Sequence, residues 1–247
     1  YMLRGWVPDL LWNELNTTRG VPLLKPNGDW RPICISESIM GLVDTVFLDI
    51  VQSQLKEMAG ANGKGKERIQ LGLIADGMAE GNRLFQITRD RDMKADNCTR
   101  MFAKYDCKNA FNTIFRHIIL EILEGDNGIH IPRNFYARLY GDSGNVLFNN
   151  DIVAHMERGT HQGRKSSPSI FDAVLYAWLK KKKILDGVSM EAWMKLLHDD
   201  ILIYGLPEDI QLVHERLVIA LHEAGLDLNI GKTELLHCGH GQEEFVV

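Results

Sequence analysis

Two adjacent carboxylates interrupt an apolar run, Leu196-Leu197-His198-Asp199-Asp200-Ile201-Leu202-Ile203-Tyr204. Charge inside such a run is costly unless it stands at a turn or binds a cation. The run therefore predicts a tight hairpin, with two apolar strands flanking Asp199-Asp200. Neighbouring strand residues point to opposite faces, so only one of the pair aims directly at a given site. Asp199 is the expected one, with Asp200 supporting. A second apolar strand, Phe102-Ala103-Lys104-Tyr105-Asp106, also ends on an acid. Two strand-end carboxylates meeting across a sheet suit a hard, oxygen-seeking cation such as Mg2+. The alternative is a pair of solvated turn acids, Asp being a common turn residue.

Around these acids the pattern is mainly helical. Ile39, Met40, Val43, Val46, Phe47, Ile50, Val51 and Leu55 recur at helical steps, with Ser36 or Ser38 as N-cap. The Gly- and Lys-rich stretch 60–66 reads as a basic loop. Helices are expected over 70–88, 115–123, 169–182 and 207–224, the last opened by Pro207 and closed by Gly225. Residues 226–230 read as a further strand. Helices first, then strand, helix, hairpin, helix and strand, predict an α+β fold with an antiparallel sheet backed by helices.

The 247 residues suffice for one large core or two packed subdomains. No run of about eighteen apolar residues is present, so no membrane partner is expected. The start shows no signal peptide, and Tyr1 in place of Met suggests a processed or partial product. Cys34, Cys98, Cys107 and Cys238 are far apart, which favours a reducing compartment. His237, Cys238 and His240 match no standard zinc spacing. A net charge of −5 argues against binding nucleic acid by bulk charge alone.

Six ordered motifs resemble the reverse transcriptases of non-LTR (LINE-type) retrotransposons, over about Leu3 to Leu236. Residues 23–33, LLKPNGDWRPI, resemble the fingers segment LxKPxGxxRPI. Gln70-Leu71-Gly72 with Gly77 and Glu80 resembles the next block. Asp106-Cys107-Lys108-Asn109-Ala110-Phe111-Asn112 is similar to motif A, with Arg116 following. Residues 159–171, GTHQGRKSSPSIF, are similar to motif B. Leu197-His198-Asp199-Asp200 stands at motif C, and Gly225-Leu226-Asp227-Leu228-Asn229 with Lys232 at motif D. The chain departs from the pattern at Leu197-His198, where an aromatic residue usually opens motif C. It departs again at Arg164-Lys165-Ser166, which replace the usual Asp-Pro-Leu, while Lys165 and Ser167-Pro168 are closer to the retroviral form. Group II intron enzymes and viral RNA-dependent RNA polymerases fit less well, by their 70–77 block and their motif B respectively.

The resemblance implies right-hand polymerase fingers and palm, the palm sheet being ferredoxin-like (RRM-like). Fingers would occupy 1–100, palm 101–124, a fingers/palm connection 125–158, and palm again 159–247. Too few residues follow motif D for a thumb, so a further segment or another chain would supply it. The implied reaction is RNA-directed DNA polymerisation: a primer 3′-hydroxyl attacks a dNTP with two Mg2+ ions, Mn2+ being a possible substitute. Asp106, Asp199 and Asp200 are the implied catalytic acids. Asp106, Asp199 and the Cys107 carbonyl are the implied metal ligands. Lys25 and Arg31 would grip the triphosphate. Phe111 would exclude a 2′-hydroxyl by bulk. Gln162 and Gly163 would meet the nascent base pair, Gly163 by letting the template backbone approach. Lys232 would act as general acid to pyrophosphate. His198 is expected to pack or to contact primer. For each, a purely structural role remains the alternative, and Lys180–Lys183 reads as a solvated helix end.

Partners are then an RNA template, a DNA or RNA primer and dNTP, in the nucleus if the element is active. The rival reading is a repurposed structural or RNA-binding subunit of a larger assembly, in an organelle or ribonucleoprotein. Charge no longer excludes nucleic acid. At least three acids are assigned to a metal site, and candidate cations cluster elsewhere, at Lys25, Arg31, Lys64, Lys66, Arg164 and Lys165.

Overall fold

The computed structural model describes the chain except residues 27, 29, 65, 66, 96, 126, 127, 130–132, 162, 240, 241 and 247. The side chains of 30–32, 239 and 242–246 also lie outside the description. In chain order the elements are α1 (Asp9–Leu15), β1 (Thr18–Leu24), β2 (Trp30–Ser36), α2 (Ser38–Met58), α3 (Gly77–Asp92), β3 (Met101–Asp106), α4 (Ala110–Thr113), α5 (Arg116–Glu124) and α6 (Arg133–Gly141). They continue with β4 (Gly144–Phe148), β5 (Asp151–Met156), α7 (Ser167–Lys181), β6 (Trp193–Leu197), β7 (Asp200–Gly205), α8 (Pro207–Glu223), β8 (Glu234–Gly239) and β9 (Gln242–Val246).

Two compact units result. The first holds Tyr1–Leu55 and Phe111–Phe171; the second holds Lys56–Ala110 and Asp172–Val247. In the first, the sheet order is β2-β1-β4-β5. The β1–β2 hairpin is antiparallel, while β1 meets β4 in parallel. Its helices bury Trp12, Phe47, Phe135, Tyr136 and Tyr140, and Trp12 meets Phe135 edge to face at 6.1 Å. Asp44, buried on α2, accepts bonds from Ser166 N (3.0 Å) and Oγ (2.6 Å). A buried carboxylate so paired fixes the motif B loop against α2.

That loop gives a correction. Arg164, expected as a surface cation, is only 4% exposed. Its Nη2 donates to Asn16 Oδ1 at 3.1 Å. It is a buried strut within the first unit.

In the second unit the sheet order is β6-β7-β3-β8-β9, antiparallel throughout. Phe102, Trp193, Tyr204, Leu236 and Cys238 form its core, with Leu84 and Phe85 of α3 packed against them. Phe102 lies at the centre of this group, 4.7 Å from Phe85, 4.9 Å from Tyr204 and 5.9 Å from Trp193 between ring centroids. On the far side, Trp178 Nε1 of α7 donates to Ala220 O of α8 at 2.7 Å.

Three expectations differ from what is found. The helix expected over 70–88 begins only at Gly77, because Gln70 pairs as a bridge with Leu196. The strand expected over 226–230 reduces to a Cys107–Leu228 bridge and a 3-10 turn at Ile230–Lys232. The first third of the chain, expected to be helical, carries the β1–β2 hairpin. No described helix is long and apolar enough to cross a membrane.

Replacing Phe102 by Ala should destabilise the second unit by about 3–5 kcal/mol, the usual cost of emptying a buried aromatic site. Denaturant unfolding followed by tryptophan fluorescence measures this through Trp193.

Candidate active site

The acids come together through strand register. β3 pairs with β7 so that Asp106 stands opposite Asp200, Tyr105 opposite Ile201 and Phe102 opposite Tyr204. Directly opposed residues of an antiparallel pair share a face. Asp106 and Asp200 therefore share one face, while Asp199 sits in the turn between β6 and β7. The predicted hairpin is found, with His198 in the left-handed region at φ 56°. A non-glycine residue there needs local support.

Like charge concentrates at this end of the sheet. Burial, then the neighbouring Asp200 and Asp106, raise the Asp199 carboxyl above its ordinary range, against a backbone bond that lowers it. Burial first, then Asp199, Asp106, Asp200 and Asp227, push the Cys107 thiol up to about 12. Cys107 is thus a neutral thiol, and only its carbonyl is a candidate metal ligand. The bonds Asn229 N to Asp106 O and Lys108 N to Asp227 O, both 2.8 Å, flank the Cys107–Leu228 bridge. They engage the Asp106 carbonyl rather than that of Cys107.

Counter-charge stands close by. Lys232 Nζ and Asn229 Nδ2 each donate to Asp106 Oδ2 at 3.1 Å. Lys232, the expected general acid, thus sits on the Asp106 carboxylate. His198 Nδ1 lies 3.1 and 3.0 Å from the two oxygens of Asp172, which is fully buried on α7. That bond raises the His198 pKa. Burial raises that of Asp172 against the opposing pull of His198.

Among the described residues no three His, Cys, Asp or Glu side chains are grouped to cage a metal. Mg2+ seldom uses such cages; it takes one or two carboxylates plus substrate phosphates. The crowded oxygens of Asp106, Asp199 and Asp200 fit that pattern.

Other expected residues lie in the first unit. Lys25 directly follows β1, its carbonyl accepting from Gly28 N at 3.0 Å. Arg31 pairs with Leu23 in the β1–β2 ladder, its side chain lying outside the description. Phe111 stacks obliquely on Phe171, centroids 4.5 Å apart. Gln162 lies outside the described residues. Gly163 has φ 114°, and a Cβ there would collide with the Cys34 carbonyl. The close approach requiring glycine is therefore to β2. A cavity of about 930 Å3, lined by Val21, Cys34, Val146, Val153 and His161 among others, also belongs to this unit. None of the acids lines it.

Sequence reading gave no role to Asp172. Its signal was a charge on the apolar face made by Ile170, Phe171, Val174 and Leu175.

Asp199→Asn should raise the Tm of the divalent-free protein by about 2–4 °C at neutral pH, since about 1 kcal/mol of crowding is relieved. The Asp199 carboxyl is raised in the folded state, so its cost is absent below the unfolded value and grows as pH rises through the folded one. Thermal unfolding in chelator should show the gain shrinking as pH falls.

The chain is 27% identical over 228 residues to the retrotransposable element SLACS 132 kDa protein of Trypanosoma brucei gambiense, covering 90% of this chain and 18% of that protein. The fold matches telomerase from Candida albicans in complex with a TWJ fragment of telomeric RNA, at TM-score 0.65 and 15% identity, over 94% of this chain and 43% of that one. Apo telomerase from Candida tropicalis matches at TM-score 0.63 and 15% identity, over 97% and 49% respectively. The chain thus spans less than half the length of each of these proteins. The family model for reverse transcriptase (RNA-dependent DNA polymerase) matches residues 23–246. With Asp106, Asp199 and Asp200 gathered at one end of an antiparallel sheet, the chain belongs to the reverse transcriptase family, and its resemblance to the non-LTR retrotransposon enzymes stands.

Proposed function

We propose that this chain is the fingers and palm of an RNA-directed DNA polymerase, extending a primer 3′-hydroxyl with dNTP on an RNA template. The observation carrying this reading is the Asp106–Asp200 register with Asp199 in the adjoining turn. Membership of a family of RNA-dependent DNA polymerases supports it. The telomerase structure solved with telomeric RNA supports an RNA partner. The SLACS likeness supports a retroelement source, and with it a nuclear setting. On this reading the palm lies at 101–124 and 159–247, the fingers at 1–100, with 125–158 connecting them.

Asp106, Asp199 and the Cys107 carbonyl would hold Mg2+. Bound there, Mg2+ would lower the pKa of the attacking hydroxyl and offset charge on the leaving pyrophosphate. Asp200 shares the Asp106 face and keeps the field negative. Lys232 holds a proton 3.1 Å from Asp106 and is placed to yield it toward pyrophosphate. Lys25 and Arg31 neutralise the triphosphate. Phe111, braced on Phe171, excludes a 2′-hydroxyl by bulk. Gln162 and Gly163 border the nascent pair.

A structural or RNA-binding subunit is the second reading, favoured by Leu197-His198 in motif C and by the net charge of −5. Primer extension on an RNA template separates the two. The full-length protein containing this chain should incorporate dNTP with Mg2+ or Mn2+, and Asp199→Asn should lower the rate on the order of 10³-fold. Absence of incorporation by the native protein overturns the enzyme reading.

A further inference from the structure

Motif C is held from behind by a relay of side chains that runs through Asp172, a residue the motifs do not contain. His198 has φ 56° and directly precedes Asp199. Its ring is pinned by Nδ1, at 3.0 and 3.1 Å from the Asp172 oxygens. Asp172 is fully buried, so His198 is the polar partner on which its carboxylate depends. Gly72 closes the other side: a Cβ there would collide with Asp172 Oδ2 and lie 2.9 Å from His198 Nδ1. The loop carrying Gly72 is itself tied down. Gln70 Nε2 donates to Asp172 O at 3.2 Å, and Gly72 N donates to Gln70 Oε1 at 2.9 Å. Leu71 N donates to Leu196 O at 2.8 Å, and Leu196 N to Ile69 O at 2.9 Å. The loop therefore grips both the strand entering motif C and the backbone of Asp172 beneath it.

We propose that Asp172 is a positioning residue, which through His198, and with the Gln70–Gly72 loop, fixes the turn presenting the Asp199 carboxylate. The proposal rests on the polymerase reading for its functional arm alone. A left-handed non-glycine residue persists only where its surroundings over-determine it. A buried carboxylate gripping the ring supplies that support, and the absence of a Cβ at residue 72 makes room for it. The backbone at Asp199 then occupies one conformation, rather than an ensemble from which the metal-binding geometry must be selected.

The experiment is Asp172→Asn, which keeps shape and burial. Hydrogen exchange of the amides at 197–200, followed by mass spectrometry without divalent cation, should accelerate about 10-fold. Exchange in β3 and α8 should stay unchanged. In primer extension kcat should fall about 10–100-fold, as when a ligand loses its orienting partner, with the dNTP KM within about 2-fold. Native exchange at 197–200 overturns the proposal, and so does uniform acceleration across the sheet, which marks a purely structural role. If the native protein extends no primer, the polymerase reading fails and exchange alone decides the positioning role. Should Asp172→Asn not fold, the apolar pair Asp172→Leu with His198→Leu avoids a buried unpaired charge. It is expected to show the same local acceleration.

Discussion

The register between β3 and β7 is the constraint on which the rest depends. β3 is the middle strand of its sheet, with β7 on one side and β8 on the other. One end of β3 carries Phe102 among Phe85, Trp193 and Tyr204, and the other carries Asp106 opposite Asp200. A slip of one residue would turn Phe102 away from α3 and part the acids. The aromatic end therefore sets the position of the acidic end. Hydrophobic burial holds the strands where electrostatics alone would separate them.

The acidic end is held together by partners of opposite sign or neutral donors. Lys232 and Asn229 reach Asp106, and His198 reaches Asp172. The Asp199 carboxyl is raised by burial and by the neighbouring Asp200 and Asp106. Such a group binds protons, or a divalent cation, more readily than an isolated Asp. The low net charge of the chain thus says little about nucleic acid, because part of the negative charge is concentrated at this one place. Arg164 shows the converse: a cation assigned to the surface by sequence serves as a buried strut.

Legibility in the sequence followed the range of the interactions. α2, α7, α8 and the β6–β7 hairpin were readable because their signals are local: apolar spacing, Pro207 and Gly225 at the ends, and two acids between apolar runs. The β1–β2 hairpin was quoted as a motif without being read as strands. β5 is exposed along nearly its whole length and shows no alternation to read. Gln70 looked helical, yet long-range pairing with Leu196 captures it. Residues 226–230 looked like a strand, yet only Leu228 finds a bridge partner among the described residues.

By itself the sequence singled out the residues proposed to carry the chemistry. Acids at the ends of apolar strands are rare, because burying charge is expensive, and six motifs in order leave few families to consider. Only the tertiary structure decided how those acids meet and what supports them. Asp200, not Asp199, shares a face with Asp106. Lys232 lies on Asp106, and Asp172 lies beneath His198. These relations join residues far apart in the chain, and they are fixed by strand register and side-chain burial, quantities that no local spacing encodes.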